Sequence, residues 1–184
     1  MTSSFRKLEE SERHRGPVVS VRHATFSAPD GSTFEREIVR HPGAVVVVPV
    51  ETSEGAARAL LVRQYRAAID GELLELPAGK RDVAGEDPAA TAERELVEEV
   101  GVRAGRVTKL AEFYNSPGFT DEHSILYLAE DLSPCANDAQ GIEEEHMTVV
   151  AVDLDRVPEL IASGEISDAK TIIGLCLARE ALNR

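Results

Sequence analysis

Glu95, Glu98 and Glu99 crowd one end of a segment, residues 79–102 (GKRDVAGEDPAATAERELVEEVGV), in which Arg94 precedes them. On a helix, Glu95 and Glu99 are i,i+4 neighbours, and like charges at that spacing cost stability. A divalent cation would remove the cost. Carboxylate oxygens favour a hard ion, and Mg²⁺ typically keeps several waters while joining a few carboxylates to substrate phosphates. Metal-assisted phosphate chemistry is therefore one reading. The other is a solvated acidic face with Arg94 and Glu98 as an ordinary i,i+4 pair, and carboxylate spacing alone does not separate the two.

Three further places could carry chemistry. Arg66 ends an apolar run and is either a fork for phosphate or carboxylate or a surface cation paired with a nearby acid. NSPGFTDE (115–122) is a polar, glycine-bearing turn between two strand patterns, a place where binding residues concentrate. Residues 133–146 form a long loop ending in Glu143, Glu144 and Glu145, and loops of that length are often functional.

The elements that must position these residues follow from patterning. Asp87 can cap a helix, Pro88 suits its first position and Gly101 the residue past its end, which predicts a helix from about Pro88 to Val100. Ala92, Leu96 and Val100 give it a narrow apolar stripe, with Glu95 and Glu99 on another face. Residues 43–50 (GAVVVVPV) predict a central strand buried on both sides. A second strand is expected over 59–66. Residues 72–79 (ELLELPAG) read as a short strand ending at Pro77, where Gly79 lets a main-chain carbonyl turn toward a metal. Further strands are expected over 107–114, 123–132 and 146–154. Residues 155–163 predict a short helix and 167–182 a longer amphipathic one, most simply structural. Residues 1–15 read as a polar arm, and two strands flanking Asp30-Gly31 as a hairpin that needs something to pack on.

A chain of 184 residues fits one domain, or one domain with an N-terminal extension, around one core. The formal net charge of −13 argues against a nucleic-acid backbone or an anionic membrane as partner. It does not oppose a phosphate substrate, because a bound cation reverses the sign of a site. Cys135 and Cys176 are too few and too separated for a disulfide framework or a zinc site, which points to a reduced, cytoplasmic protein. The charged N-terminus lacks the apolar run of a secretory signal, and no segment approaches the ~18 apolar residues of a membrane helix.

The pattern E86-x7-R94-E95-L96-x-E98-E99-x-G101-V102 resembles the signature box of the Nudix hydrolases. It departs only at the front, where six residues instead of five separate Gly79 from Glu86. VRQYR, ELPAGK, SPGFTDE and GEISDAKTI extend the likeness to the ADP-ribose pyrophosphatase branch over roughly residues 35–180. Pro117 stands fifteen residues after Val102, as is characteristic of that branch.

The resemblance implies an α/β (α+β) fold: an α/β/α sandwich around a mixed sheet, with an N-terminal antiparallel hairpin. Residues 1–42 would be exchanged between the subunits of a homodimer, and residues 43–184 would form the Nudix domain. It implies Mg²⁺, with Mn²⁺ as a substitute, held by Glu95, Glu98, Glu99 and the Ala78 carbonyl, with Arg94 orienting the glutamates. It also implies substrate contacts at Arg66, Glu75, Pro117 and Gly118. A base outside the helix would be Glu143, or failing that Glu145. The implied reaction is hydrolysis of ADP-ribose to AMP and ribose 5-phosphate. A Nudix enzyme for a nucleotide sugar, dinucleotide or nucleoside triphosphate is the alternative, and a non-catalytic nucleotide sensor a third reading.

Overall fold

The β-branched run after Gly43 forms strand β4, Ala44–Ser53, whose first seven residues are all buried. Its alternation decides the layering. Val45 and Val47 pack on one side with Ala92 and Leu96 of the box helix and with Ile125, Tyr127 and Ala129. Val48 faces the other way, against Gly174 of the C-terminal helix, beside Leu76 and Leu126. Both faces of the strand are therefore covered by helices, as a continuous apolar run requires.

The computed structural model describes residues 4–53, 55–136 and 146–183. They fall into two compact units, one of residues 44–112 and 124–184, the other of residues 1–43 and 113–123. In the larger unit, β4 pairs antiparallel with β5 (Ala56–Arg66) and parallel with β9 (His123–Pro134). The sheet runs β10-β5-β4-β9-β8, where β8 is Val102–Tyr114 and β10 is Thr148–Asp153. Two short strands attach to it: β6 (Gly71–Glu75) on β5 and β7 (Ala78–Lys80) on β4. Helix α1 is Pro88–Glu95, α2 is Val157–Ser163 and α3 is Ala169–Ala181. On α3, a Cβ at Gly174 would lie 2.4 Å from Leu76 Cδ1, so only glycine lets the helix come this close to the sheet.

The smaller unit holds a three-stranded antiparallel sheet in the order β1-β2-β3: Arg6–Arg15, Ser20–Ser27 and Thr33–Arg40. The hairpin about Asp30-Gly31 is present, with Gly31 at φ 87°. The expected polar arm is corrected here, because residues 6–15 are a strand. Its reason lies in charge and not hydropathy. Glu12 pairs with Arg22 at 2.8 Å, Thr25 Oγ1 donates to Glu9 at 3.2 Å, and Arg40 Nη2 donates to Glu10 at 2.7 Å. Hydrogen bonds from Arg40 and then Lys7 hold the Glu10 carboxyl down at about 2. Phe5 adds an edge-on contact to Phe34 at 5.9 Å, and Phe34 stacks on Phe26 at 5.4 Å. Within the same unit, Val39 N–H donates to Phe119 O, and Arg40 Nη1 reaches Asp121 at 2.9 Å.

Candidate active site

The box helix starts as the sequence predicts. Asp87 accepts from Ala89 N–H at 2.9 Å and Pro88 takes the first turn. From Leu96 to Val100 the winding widens into a π-turn, closed by Gly101 at φ 71°. Such turns are rare and gather at functional sites. Glu98 and Glu99 both lie on it, and the spacing of a regular helix would not have foretold it.

Glu95 and Glu99 are buried charged side chains, 6% and 7% exposed. Glu99 Oε2 accepts from Ala78 N–H at 3.1 Å, tying the π-turn to β7. Gly79 sits against Glu95: a Cβ there would lie 1.8 Å from Oε1 and 2.0 Å from Cδ. This close approach, and not backbone freedom, is why position 79 lacks a side chain. Arg94 Nη1 contacts Glu95 Oε1 at 2.9 Å and donates to Glu98 Oε2 at 2.7 Å, while its Nε lies 3.7 Å from Glu86. Burial works against the Arg94 charge, but Glu95, Glu98 and Glu86 outweigh it and raise its pKa above the ordinary guanidinium value. Thr91 Oγ1 in turn holds Glu86 at 2.7 Å.

These oxygen donors suit a hard divalent cation, and the chemistry of the set fits one. Among the described residues, no three acidic, histidine or cysteine side chains are gathered closely enough to hold an ion as they stand. An ion would compete with Arg94 for the same oxygens.

Arg66 and Glu75 come together as a two-pronged pair: Nε donates to Oε1 at 2.7 Å and Nη2 to Oε2 at 2.8 Å. Glu75 is 1% exposed, so a full charge is buried and must be paired. The hydrogen bonds from Arg66 to Glu75 raise the guanidinium pKa against the opposing effect of burial, and the charges of Glu75, Glu99 and Asp168 add to it. The sequence reading missed what lies behind Glu75. Lys170 Nζ stands 3.8 Å from Glu75 Oε2 and donates to Asp168 Oδ1 at 2.7 Å. Asp168 Oδ2 caps α3 through Thr171 N–H and Oγ1, both at 2.8 Å, and Thr171 Oγ1 accepts from Leu76 N–H at 2.9 Å. The signal was the Asp168 cap in GEISDAKTI, which a purely structural reading of the helix passed over.

Pro117 and Gly118 lie in the smaller unit, in a turn where the N–H groups of Phe119 and Thr120 both donate to Ser116 O at 3.1 Å. Glu143 and Glu145 fall outside the described residues.

A NUDIX domain model matches residues 40–173, most of the chain. The chain belongs to the Nudix hydrolase family, whose members generally need a divalent cation. It is 42% identical over 156 residues to an ADP-ribose pyrophosphatase of Bacillus subtilis (strain 168), covering 85% of this chain and 82% of that one. It is 41% identical over 160 residues to the methanol dehydrogenase activator of Bacillus methanolicus, covering 87% and 84%. A crystal structure of an ADP compounds hydrolase superposes with a TM-score of 0.85 at 24% identity, over 100% of this chain and 96% of that one, and shares the fold. No helix among the described residues is long and apolar enough to cross a membrane.

Proposed function

We propose that this chain hydrolyses the diphosphate of ADP-ribose to AMP and ribose 5-phosphate, using Mg²⁺ or, in its place, Mn²⁺. The observation that carries the reading is the array of buried carboxylates on the box helix, closed against β7 by Ala78 N–H and Gly79. The likeness to an ADP-ribose pyrophosphatase supports the choice of substrate.

Glu95, Glu98, Glu99 and the Ala78 carbonyl hold the cation. When bound, it neutralises diphosphate charge and lowers the pKa of a water. Arg94 sets the glutamate rotamers through its contacts with Glu95 and Glu98. Arg66, fixed by Glu75, offers its remaining N–H groups to a phosphate, the bidentate recognition at which arginine excels. Pro117 and Gly118 contact the substrate and narrow its identity, as the likeness to the ADP-ribose pyrophosphatase branch implies. Glu143, or in its place Glu145, takes the proton of the attacking water, because carboxylates engaged with a cation are poor bases.

A homodimer in which residues 1–42 are exchanged between subunits belongs to the same proposal, supported by the exposed Phe5, Leu8 and Val18. So does a cytoplasmic setting, consistent with free Cys135 and Cys176. The net charge of −13 supports a small-molecule substrate over nucleic acid.

A second reading, that the chain acts on another enzyme and not on ADP-ribose, is favoured by one observation, the 41% identical relative named as a methanol dehydrogenase activator. Chromatography of ADP-ribose incubated with the protein and Mg²⁺ separates the two. AMP and ribose 5-phosphate in equal amounts are expected. Intact ADP-ribose beside a hydrolysed nucleotide sugar, or beside no hydrolysed nucleotide, would reject the proposal.

A further inference from the structure

Arg66 faces a problem that its pairing with Glu75 does not solve by itself. A guanidinium has five N–H donors, and two of those on Arg66 are committed to Glu75. Nη1 has no acceptor among the described residues, and the side chain is 39% exposed. Its free edge is therefore available to a ligand. Its direction depends on Glu75, a carboxylate buried to 1% exposure at the end of β6. If that carboxylate turned, or lost part of its charge compensation, Arg66 would turn with it.

The groups that hold Glu75 come from the opposite end of the sequence. Lys170 lies 3.8 Å from Glu75 Oε2 and is anchored by its 2.7 Å bond to Asp168, itself fixed by capping α3. Thr171 clamps the same turn to the main chain beside Glu75 through Leu76 N–H. The order of contact is Asp168, Lys170, Glu75, Arg66, with two carboxylates alternating with two cations. The three members behind Arg66 are largely withdrawn from water, with side-chain exposures of 11%, 20% and 1%.

We propose that Lys170 is a positioning residue for substrate binding: acting through Glu75, it fixes the direction of the Arg66 guanidinium toward a phosphate of the bound diphosphate. Lys170 does not itself touch the substrate. The inference rests on the reading that Arg66 binds the substrate, and it adds that the first turn of α3 tunes that binding. Removing one member of a buried ionic set leaves the others uncompensated, so the effect on Arg66 is larger than the exposed surface of Lys170 suggests.

Steady-state kinetics on ADP-ribose with saturating Mg²⁺ test this in five proteins: wild type, Lys170→Met, Lys170→Arg, Arg66→Ala and the Lys170→Met/Arg66→Ala double variant. Lys170→Met should raise KM about tenfold and lower kcat less than threefold, the split expected for a lost binding interaction. Lys170→Arg should restore KM to within about threefold, because it returns the cation. In the Arg66→Ala background, Lys170→Met should add nothing further to KM, since its route to substrate is gone. Should Lys170→Met not fold, Lys170→Gln serves in its place. An unchanged KM in Lys170→Met or Lys170→Gln overturns the proposal. The same rise in KM with or without Arg66 also overturns it, and would assign Lys170 to the stability of α3 alone. An Arg66→Ala protein with normal KM would instead reject the reading of Arg66 on which the inference rests.

Discussion

The larger unit contains two acidic clusters that differ in how their charge is met. In the first, Glu75 and Asp168 alternate with Arg66 and Lys170, so each carboxylate has a cation of its own. In the second, Arg94 is shared among Glu86, Glu95 and Glu98. Glu99 contributes a further carboxylate, hydrogen-bonded to Ala78 N–H. The first cluster is a finished scaffold whose one open edge belongs to Arg66. The second concentrates negative charge at a place where burial makes that costly, a cost that a hard divalent cation would meet. On the proposed reading, the same residue types serve support in one cluster and metal binding in the other.

The largest expected effect comes from thinning the second cluster. Glu99→Gln keeps size and hydrogen bonding but removes a ligand charge, and should lower kcat at least about a hundredfold while the thermal unfolding curve stays cooperative. Equal turnover at saturating Mg²⁺ would remove Glu99 from the metal site. Gly79→Ala should follow. Its methyl group would occupy the space of the Glu95 carboxylate, and because that side chain can swing aside, the protein should fold but lose about ten- to a hundredfold in apparent Mg²⁺ affinity. A Mg²⁺ dependence of activity like that of wild type would show that Glu95 has room to spare.

Glu143→Gln, and Glu145→Gln beside it, probe the base proposed for the attacking water. One of them should cut kcat by about tenfold or more and leave Mg²⁺ affinity unchanged, since a base acts in the chemical step and not in ion binding. If neither does so, the base lies elsewhere.

The smallest effect concerns acid stability of the balanced cluster. Burial alone would raise the Asp168 pKa, but the Lys170 charge, the bond from Lys170 and those from Thr171 outweigh it, and the value lies below the usual aspartate range. A carboxylate with a lowered folded pKa contributes stability above its ordinary pKa and loses it as pH falls through the folded value. Asp168→Asn should therefore be less stable than wild type at pH 7, with the gap narrowing below about pH 4. Urea unfolding at a series of pH values measures it. A gap independent of pH would assign the loss to the helix cap and not to the charge.

Much of this arrangement was legible in the sequence. The central strand announced itself through Val45 to Val48, whose burial on both faces follows from an unbroken β-branched run. The box helix was marked at both ends by Asp87, Pro88 and Gly101, and the pattern of Arg94, Glu95, Glu98 and Glu99 carried the family. Residues 6–15 escaped because their strand is held by cross-strand ion pairs such as Glu12 with Arg22 and Glu10 with Arg40. Such pairs connect positions far apart in the chain and leave no periodic apolar signal. Lys170 and Asp168 escaped for a related reason. Their partner Glu75 lies more than ninety residues away, and only the packing of α3 against the end of β6 brings them together. The π-turn at Leu96–Val100 has no local signature, since the same residues would also form a regular helix.

Calorimetric titration with Mg²⁺ of the wild-type protein, Glu99→Gln and Glu75→Gln tests the contrast between the clusters most directly. Wild type should bind the cation, Glu99→Gln should lose most of that affinity, and Glu75→Gln should retain it to within about threefold because its cluster is already matched in charge. Loss of Mg²⁺ binding in Glu75→Gln with its retention in Glu99→Gln would reverse the assignment and contradict the account.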